Sequence, residues 1–185
     1  MASIALLYGT GEGQTAKVAH RIADTLTERG HTLTERDVSA GTEDLNWNTF
    51  DAVVVGASIH TGQHQSSVRE LIAERLDYLN DLPTAFFQIS LSSATPEGRE
   101  QAASYVDELL ENTGWDPDRI GLFGGALQYS RYGFLKRLLI KQIAKRNIPD
   151  VETDTDVEFT DWDEVESFSN DFADFVEGRI QSEVS

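Results

Sequence analysis

Apolar positions along this chain follow two rhythms. Ser3–Tyr8 (SIALLY) and residues 51–56 (DAVVVG) are short apolar runs, the profile of strands buried on both faces. Between them, residues 14–29 place Val18, Ile22, Ala23 and Leu26 at helix spacing, and Gly30 ends that helix. Residues 31–38 alternate as a second strand. Further on, the pattern predicts a helix over 66–79, a fourth strand over 83–90, a helix over 96–112 and a fifth strand over 119–126. Strands alternating with helices at this rhythm imply βαβ units, a mostly parallel sheet and an α/β fold. In an open doubly wound sheet, ligands sit at the carboxyl ends of the strands. Here those ends are the loops after Tyr8, Gly56 and Ser90.

Two later segments depart from the rhythm. Residues 129–148 read as a helical insertion. Residues 158–160 then read as a brief strand, and Thr160 with Asp163 three positions on has the form of a capping box. It would open a final helix carrying Val165, Phe168, Phe172, Phe175 and Val176. Residues 150–156 (DVETDTD) are an acidic loop. The whole of 1–185 is expected to be one domain.

The loop after the first strand carries the clearest chemistry. Gly9-Thr10-Gly11-Glu12-Gly13-Gln14-Thr15 lies between a strand and a helix. Glycines let the backbone bend around an anion, and the helix start supplies free N–H groups and the positive end of its dipole. Thr10 and Thr15 add hydroxyl donors. Gly11, Gly13 and Ala16 also satisfy the dinucleotide fingerprint, with Asp37 about 20 residues later. Two hydroxyls suit a phosphomonoester better than a pyrophosphate, and the chain is short for a dinucleotide domain plus a substrate domain. No Gly-Lys-Ser/Thr follows, which excludes a P-loop.

Composition narrows the partners. The 185 residues include no cysteine, which excludes disulfides, thiol catalysis, Fe–S clusters and cysteine-zinc sites. Net charge is −17, so nucleic acid is not an expected partner. Dense Asp and Glu with only four lysines is a composition that stays hydrated at very high salt, and a salt-loving host is expected. Met1–Tyr8 is too short for a secretory leader, and no apolar run approaches the ~20 residues of a membrane span. A cytoplasmic location is expected. Against the acidic background stands one basic island, residues 129–148 (YSRYGFLKRLLIKQIAKRNI), with Arg131, Lys136, Arg137, Lys141, Lys145 and Arg146 and no acid. Leu135, Leu138, Leu139 and Ile143 share one helical face, with the lysines broadly opposite. That profile suits a helix lying on a membrane interface, and equally a helix packed on its own acidic body.

Thr10-Gly11-Glu12-Gly13-Gln14-Thr15 matches the T-x-x-G-[NQ]-T loop of flavodoxins, and the chain resembles that family. The resemblance is closer to one branch, the menaquinone-dependent protoporphyrinogen IX dehydrogenases. It runs through Val55-Gly56-Ala57-Ser58-Ile59 with Gly62 and His64, Trp115 with Pro117-Asp118-Arg119, Gly125-Ala126-Leu127 with Tyr129, Arg131 and Tyr132, Ile140-Lys141, Glu152–Thr155 and Phe159–Trp162. It implies a flavodoxin-like five-stranded sheet of order 2-1-3-4-5. It also implies FMN, with its phosphate on Thr10, Gly11, Glu12, Gly13, Gln14 and Thr15. The ring would lie between a second loop (Ala57, Ser58, Ile59, His60, Gly62) and a third (Ser90, Leu91, Ser92). The implied activity is oxidation of protoporphyrinogen IX, with electrons passed to a membrane quinone. A soluble electron shuttle is the alternative, and a binding module with an empty loop a third reading. Tyr129, Arg131, Tyr132, Lys136 and Arg137 are the expected substrate- or membrane-docking residues, which would place the protein on the inner face of the membrane.

The remaining candidates carry blander readings. His60 and His64 are four apart but lack nearby acidic ligands, so a metal is not expected. His60 reads instead as a flavin neighbour. His20 and His31 read as surface residues, and Trp47, Trp115 and Trp162 as core or cap packing.

Overall fold

The computed structural model describes residues 1–128 and 156–183. The basic island, with Tyr129, Arg131, Tyr132, Lys136 and Arg137, and most of the acidic loop lie outside the described residues. Parallel strands β1 (Ser3–Tyr8), β2 (Thr32–Asp37), β3 (Ala52–His60), β5 (Thr84–Ser90) and β6 (Arg119–Gly124) form the sheet, in the order β2-β1-β3-β5-β6. A two-residue strand, β4 (Gln63–His64), folds back antiparallel on β3. Without it the order is the expected 2-1-3-4-5. Helices α1 (Gln14–Glu28) and α5 (Trp162–Glu183) cover one face; α2 (Ser66–Glu74), α3 (Leu76–Asp81) and α4 (Arg99–Thr113) cover the other.

The unbroken apolar runs follow from this double cover. Ile4, Leu6 and Tyr8 of β1 join the cluster under α1 and α5, while Ala5 and Leu7 join the cluster under α2 and α4. The strand interior has no polar face because neither side meets water. β2 is an edge strand and reads TLTERD, a charged composition that discourages pairing with another chain. At Gly56 a side chain is excluded by packing: an added Cβ would lie 2.1 Å from Cζ of Phe87.

The structure corrects the sequence reading at five places. β3 runs on past Gly56 to His60, because Ala57 and Ser58 pair with Gln88 and Ile89 of β5. The helix expected over 66–79 breaks at Arg75, whose guanidinium lies over the Trp47 ring at 4.6 Å. The fifth strand stops at Gly124. After Gly125 a separate ribbon of β7 (Ala126–Leu127) and β8 (Val157–Glu158) forms. The last helix is capped by Asp161, whose Oδ1 accepts from the N–H groups of Asp163 and Glu164. Thr160, the expected cap, bonds elsewhere.

His31 is the fifth correction. It is buried, with Nδ1 accepting from the Ala2 N–H at 3.2 Å and Nε2 at 3.3 Å from Glu177. His64 is buried too, edge-on to Phe86, with Nε2 on Oε1 of Gln88 at 2.8 Å. Burial pushes both below the ordinary histidine value of 6.5, against the pull of Glu177 on His31 and of Gln88 on His64. The unfolded chain therefore binds more protons below that value. Their stabilising contribution is complete above 6.5 and is lost as the pH falls through the depressed folded values. The unfolding free energy from urea titrations should drop between pH 6.5 and 5, by at most about 1.4 kcal/mol per pH unit for each histidine. His31→Gln with His64→Gln should flatten that slope.

Candidate functional site

The carboxyl ends of the strands align along one edge: Tyr8 is in register with Asp37 and Gly56, and Ser90 with Gly124. The first loop leaves β1 through Gly9, whose N–H donates to the Gly56 carbonyl at 2.9 Å. Oγ1 of Thr10 accepts from the Gly13 N–H at 3.0 Å and closes the turn. Gly13 caps α1 at φ +96°, a left-handed conformation that a side chain would strain. Lys17 N–H makes a helical bond back to the Gly13 carbonyl at 3.1 Å, so the N–H groups of Gln14, Thr15 and Ala16 precede the i−4 ladder. Nothing lies within 4 Å of where a Gly13 Cβ would be. Open space, a helix N-terminus and the Thr10 and Thr15 hydroxyls together make a donor set that fits a phosphomonoester.

Gln14 braces this loop from behind. Its Nε2 donates to Oγ1 of Thr160 at 2.8 Å, and Thr160 donates on to the Gly124 carbonyl at 2.7 Å. Oε1 of Gln14 is buried without a hydrogen-bond partner among the described residues. Glu158 anchors the same corner, accepting from Lys17 at 3.2 Å and from Trp162 Nε1 at 3.0 Å. Burial works to raise the Glu158 carboxyl, but the bonds from Lys17, Gln14 and Trp162 outweigh it and hold the group below its usual value.

The second segment is the end of β3 rather than a loop. Ala57 and Ser58 are buried, Ile59 and Gly62 half-buried, and His60 exposed. Ser58 N–H donates to Oε1 of Gln65 at 3.0 Å, Gln65 Nε2 donates back to Ser58 Oγ, and that oxygen lies 3.1 Å from Nε2 of His60. The His60 ring rests on the first loop, with Nε2 2.6 Å from where a Gly11 Cβ would stand. Thr61 (φ +50°) and Gly62 (φ +82°) form the β3–β4 turn. Positive φ at a β-branched residue costs on the order of 1–3 kcal/mol, a strain found preferentially at functional sites.

The third segment follows β5. Ser90 and Ser93 share a hydroxyl contact at 2.7 Å, Ser92 donates to Gln101 at 3.1 Å, and Leu91 is half-buried. The structure thus gathers Thr10–Thr15, His60 and the 90–92 turn along one edge, with Ala57 and Ser58 beneath them. Sequence reasoning missed Gln65, Glu158 and the bracing role of Thr160. Thr160 carried a signal, in the Phe159–Trp162 stretch, but it read as a helix cap. Gln65 carried none.

Comparison with known proteins agrees with this geometry. The flavodoxin-domain family model matches residues 5–156. Protoporphyrinogen IX dehydrogenase (quinone) of Escherichia coli strain K12 is 36% identical over 169 residues, 91% of this chain and 93% of the relative. The protein of the same name from Leishmania major is 28% identical over 170 residues, 91% of this chain and 73% of its own. Among solved structures, a short-chain flavodoxin associated with a non-canonical PDU bacterial microcompartment superposes with TM-score 0.58 at 15% identity, over 95% of this chain and 99% of the other. A flavodoxin from the domain Archaea gives 0.54 at 15% identity, over 95% and 99%. These two show a shared fold. The family match and the 36% identity carry more: the chain belongs to the flavodoxin-domain family and, within it, to the family of the quinone-linked protoporphyrinogen IX dehydrogenases.

Proposed function

We propose that the protein binds FMN and oxidises protoporphyrinogen IX to protoporphyrin IX, passing the electrons to a quinone. The observation that carries this reading is the 36% identity over nearly the whole of both chains. The phosphate-fitting loop at the head of α1 supports the cofactor. Bound there, FMN would supply the two-electron redox chemistry that no side chain here offers. The N–H groups of Gln14, Thr15 and Ala16, with the hydroxyls of Thr10 and Thr15, bind the phosphate. Gly11, Glu12 and Gly13 shape the loop. Ile59, His60 and Gly62 would hold one side of the ring, and the turn Ser90-Leu91-Ser92 would face its polar edge. The serine hydroxyls already have partners, so that turn offers chiefly its backbone. Ala57 and Ser58 support the site from within the sheet.

Tyr129, Arg131, Tyr132, Lys136 and Arg137 are assigned to the porphyrinogen propionates or to a peripheral membrane contact through 129–148. Among the described residues no helix is long and apolar enough to cross a membrane. Charge-assisted hydrogen bonds at contact range survive the screening of a salty cytoplasm. Neutralising Arg131, Lys136 and Arg137 together should raise KM for protoporphyrinogen about tenfold or more. An unchanged KM would remove the island from substrate binding.

The deciding experiment is anaerobic mixing of the FMN-loaded protein with protoporphyrinogen IX and a quinone analogue in high salt, following porphyrin fluorescence. Quinone-dependent growth above the protein-free control is expected. No growth from a protein that binds FMN and accepts electrons from other donors would favour a soluble electron shuttle.

A further inference from the structure

Among the described residues, the exposed imidazole of His60 is held by only one of its nitrogens. Nε2 sits 3.1 Å from Ser58 Oγ, and that hydroxyl is fixed by Gln65, whose amide orientation is set by the Ser58 N–H on its Oε1. Nε2 also faces Gly11. Nδ1, on the other side of the ring, has no hydrogen-bond partner among the described residues. A hydroxyl oxygen can accept from both Gln65 and His60. With the proton on Nε2, the ring donates to Ser58 and leaves the Nδ1 lone pair open. Taking up a second proton at Nδ1 then breaks no hydrogen bond within the protein. An orienting group behind one nitrogen and an open lone pair on the other is the arrangement a general base requires.

We propose that His60 is the proton acceptor in porphyrinogen oxidation. The inference rests on the function proposed above. In each two-electron step a C–H bond of a bridging methylene breaks, and bound FMN would supply the acceptor for its hydride. The adjoining pyrrole N–H bond breaks and its proton goes to Nδ1 of His60. The electron pair left on nitrogen forms the new double bond of the ring system; after three such steps one proton shifts from the remaining methylene bridge to nitrogen, which completes the porphyrin with two N–H groups. Imidazolium then releases its proton to water, and the quinone would take the electron pair that FMN had received. Ser58 and Gln65 act as positioning residues. Among the described residues, the titratable and charged groups on the neighbouring elements include Glu12 on the first loop, His64 on β4, Arg69 on α2 and Glu108 on α4.

Three readouts test the assignment. In the resting protein, ¹⁵N spectra of the His60 ring should show the proton on Nε2; a proton held on Nδ1 would overturn the proposal. In stopped flow, His60→Asn should slow flavin reduction by protoporphyrinogen about 100-fold, the low end for loss of a general base. It should also abolish the wild-type decline of that rate at low pH. His60→Ala should be slowed similarly and be rescued by added imidazole, which a packing role would not allow. A wild-type rate in either variant, no rescue, or loss of FMN from both variants would each overturn the assignment. Failure of the underlying function would look different: the wild type itself would leave protoporphyrinogen unoxidised, and the role of His60 would fall with it.

Discussion

Valine at both Thr10 and Thr15 is expected to raise the FMN dissociation constant by about two orders of magnitude or more. A hydrogen bond from a hydroxyl to a charged group contributes roughly 1.5–3 kcal/mol, so each loss weakens binding about tenfold or more. Neither loss is easily repaired. Thr15 is 1% exposed, so water cannot stand in for its hydroxyl. Thr10 also accepts from the Gly13 N–H, so its replacement loosens the turn that presents the other donors. Serine at both positions keeps the oxygens and should stay near wild type. Quenching of FMN fluorescence measures the constant, and a thermal melt checks that the variant is folded. An affinity within a few-fold of wild type would place the phosphate elsewhere.

Trp115→Ala should lower stability by about 3–5 kcal/mol, the range for removing a buried aromatic. Trp115 is 2% exposed, packs edge-on to Phe86 at 5.7 Å between ring centres, and donates from Nε1 to Thr84 Oγ1 at 3.2 Å. At roughly 2–4 °C per kcal/mol for a chain of this length, the midpoint should fall by about 10 °C. Trp115→Phe keeps most of the apolar contact and loses the hydrogen bond, so a cost nearer 1–2 kcal/mol is expected. Thr84 begins β5 and the 90–92 turn ends it, so the damage lies at the opposite end of the strand from the flavin edge. FMN affinity of the folded variant should therefore match wild type. A weakened affinity would mean that the two ends of the sheet are coupled.

The parts of the fold legible in the sequence are those where one local rule acts alone. The double-sided burial of β1 and β3 is written as unbroken apolar runs. The turn between β1 and α1 is written as glycines and threonines at fixed spacing. What escaped depends on partners distant in sequence. Nothing in the residues near Gly56 announces that β3 continues to His60; the pairing of Ser58 with Ile89 of β5 decides that. His31 reads as a surface histidine next to Gly30, yet Glu177 and the Ala2 amide enclose it. Thr160 fits a capping box, but the Gly124 carbonyl and Gln14 compete for its hydroxyl, and the neighbouring Asp161 takes the cap. The brace of Gln65 on Ser58 joins side chains seven residues apart around a hairpin whose turn contains a threonine at positive φ. Turn rules favour Asn, Asp or Gly there, so the hairpin had no local signature.

The β7–β8 ribbon has a consequence for how such a chain can change. Leu127 pairs with Val157 across it, so the polypeptide departs and returns at neighbouring positions. Partners across an antiparallel pair stand roughly 5 Å apart. A span of any length, or a tight turn, can bridge that distance without moving the strands on either side. The Leu127–Val157 pair is therefore a socket, and the described sheet and helices are a chassis. A genome can lengthen, trade or delete what is plugged in there while the β1–α1 loop and the carboxyl ends of the strands keep their geometry. In the laboratory, a two-residue turn in its place would yield a minimal flavoprotein against which each grafted insert can be compared.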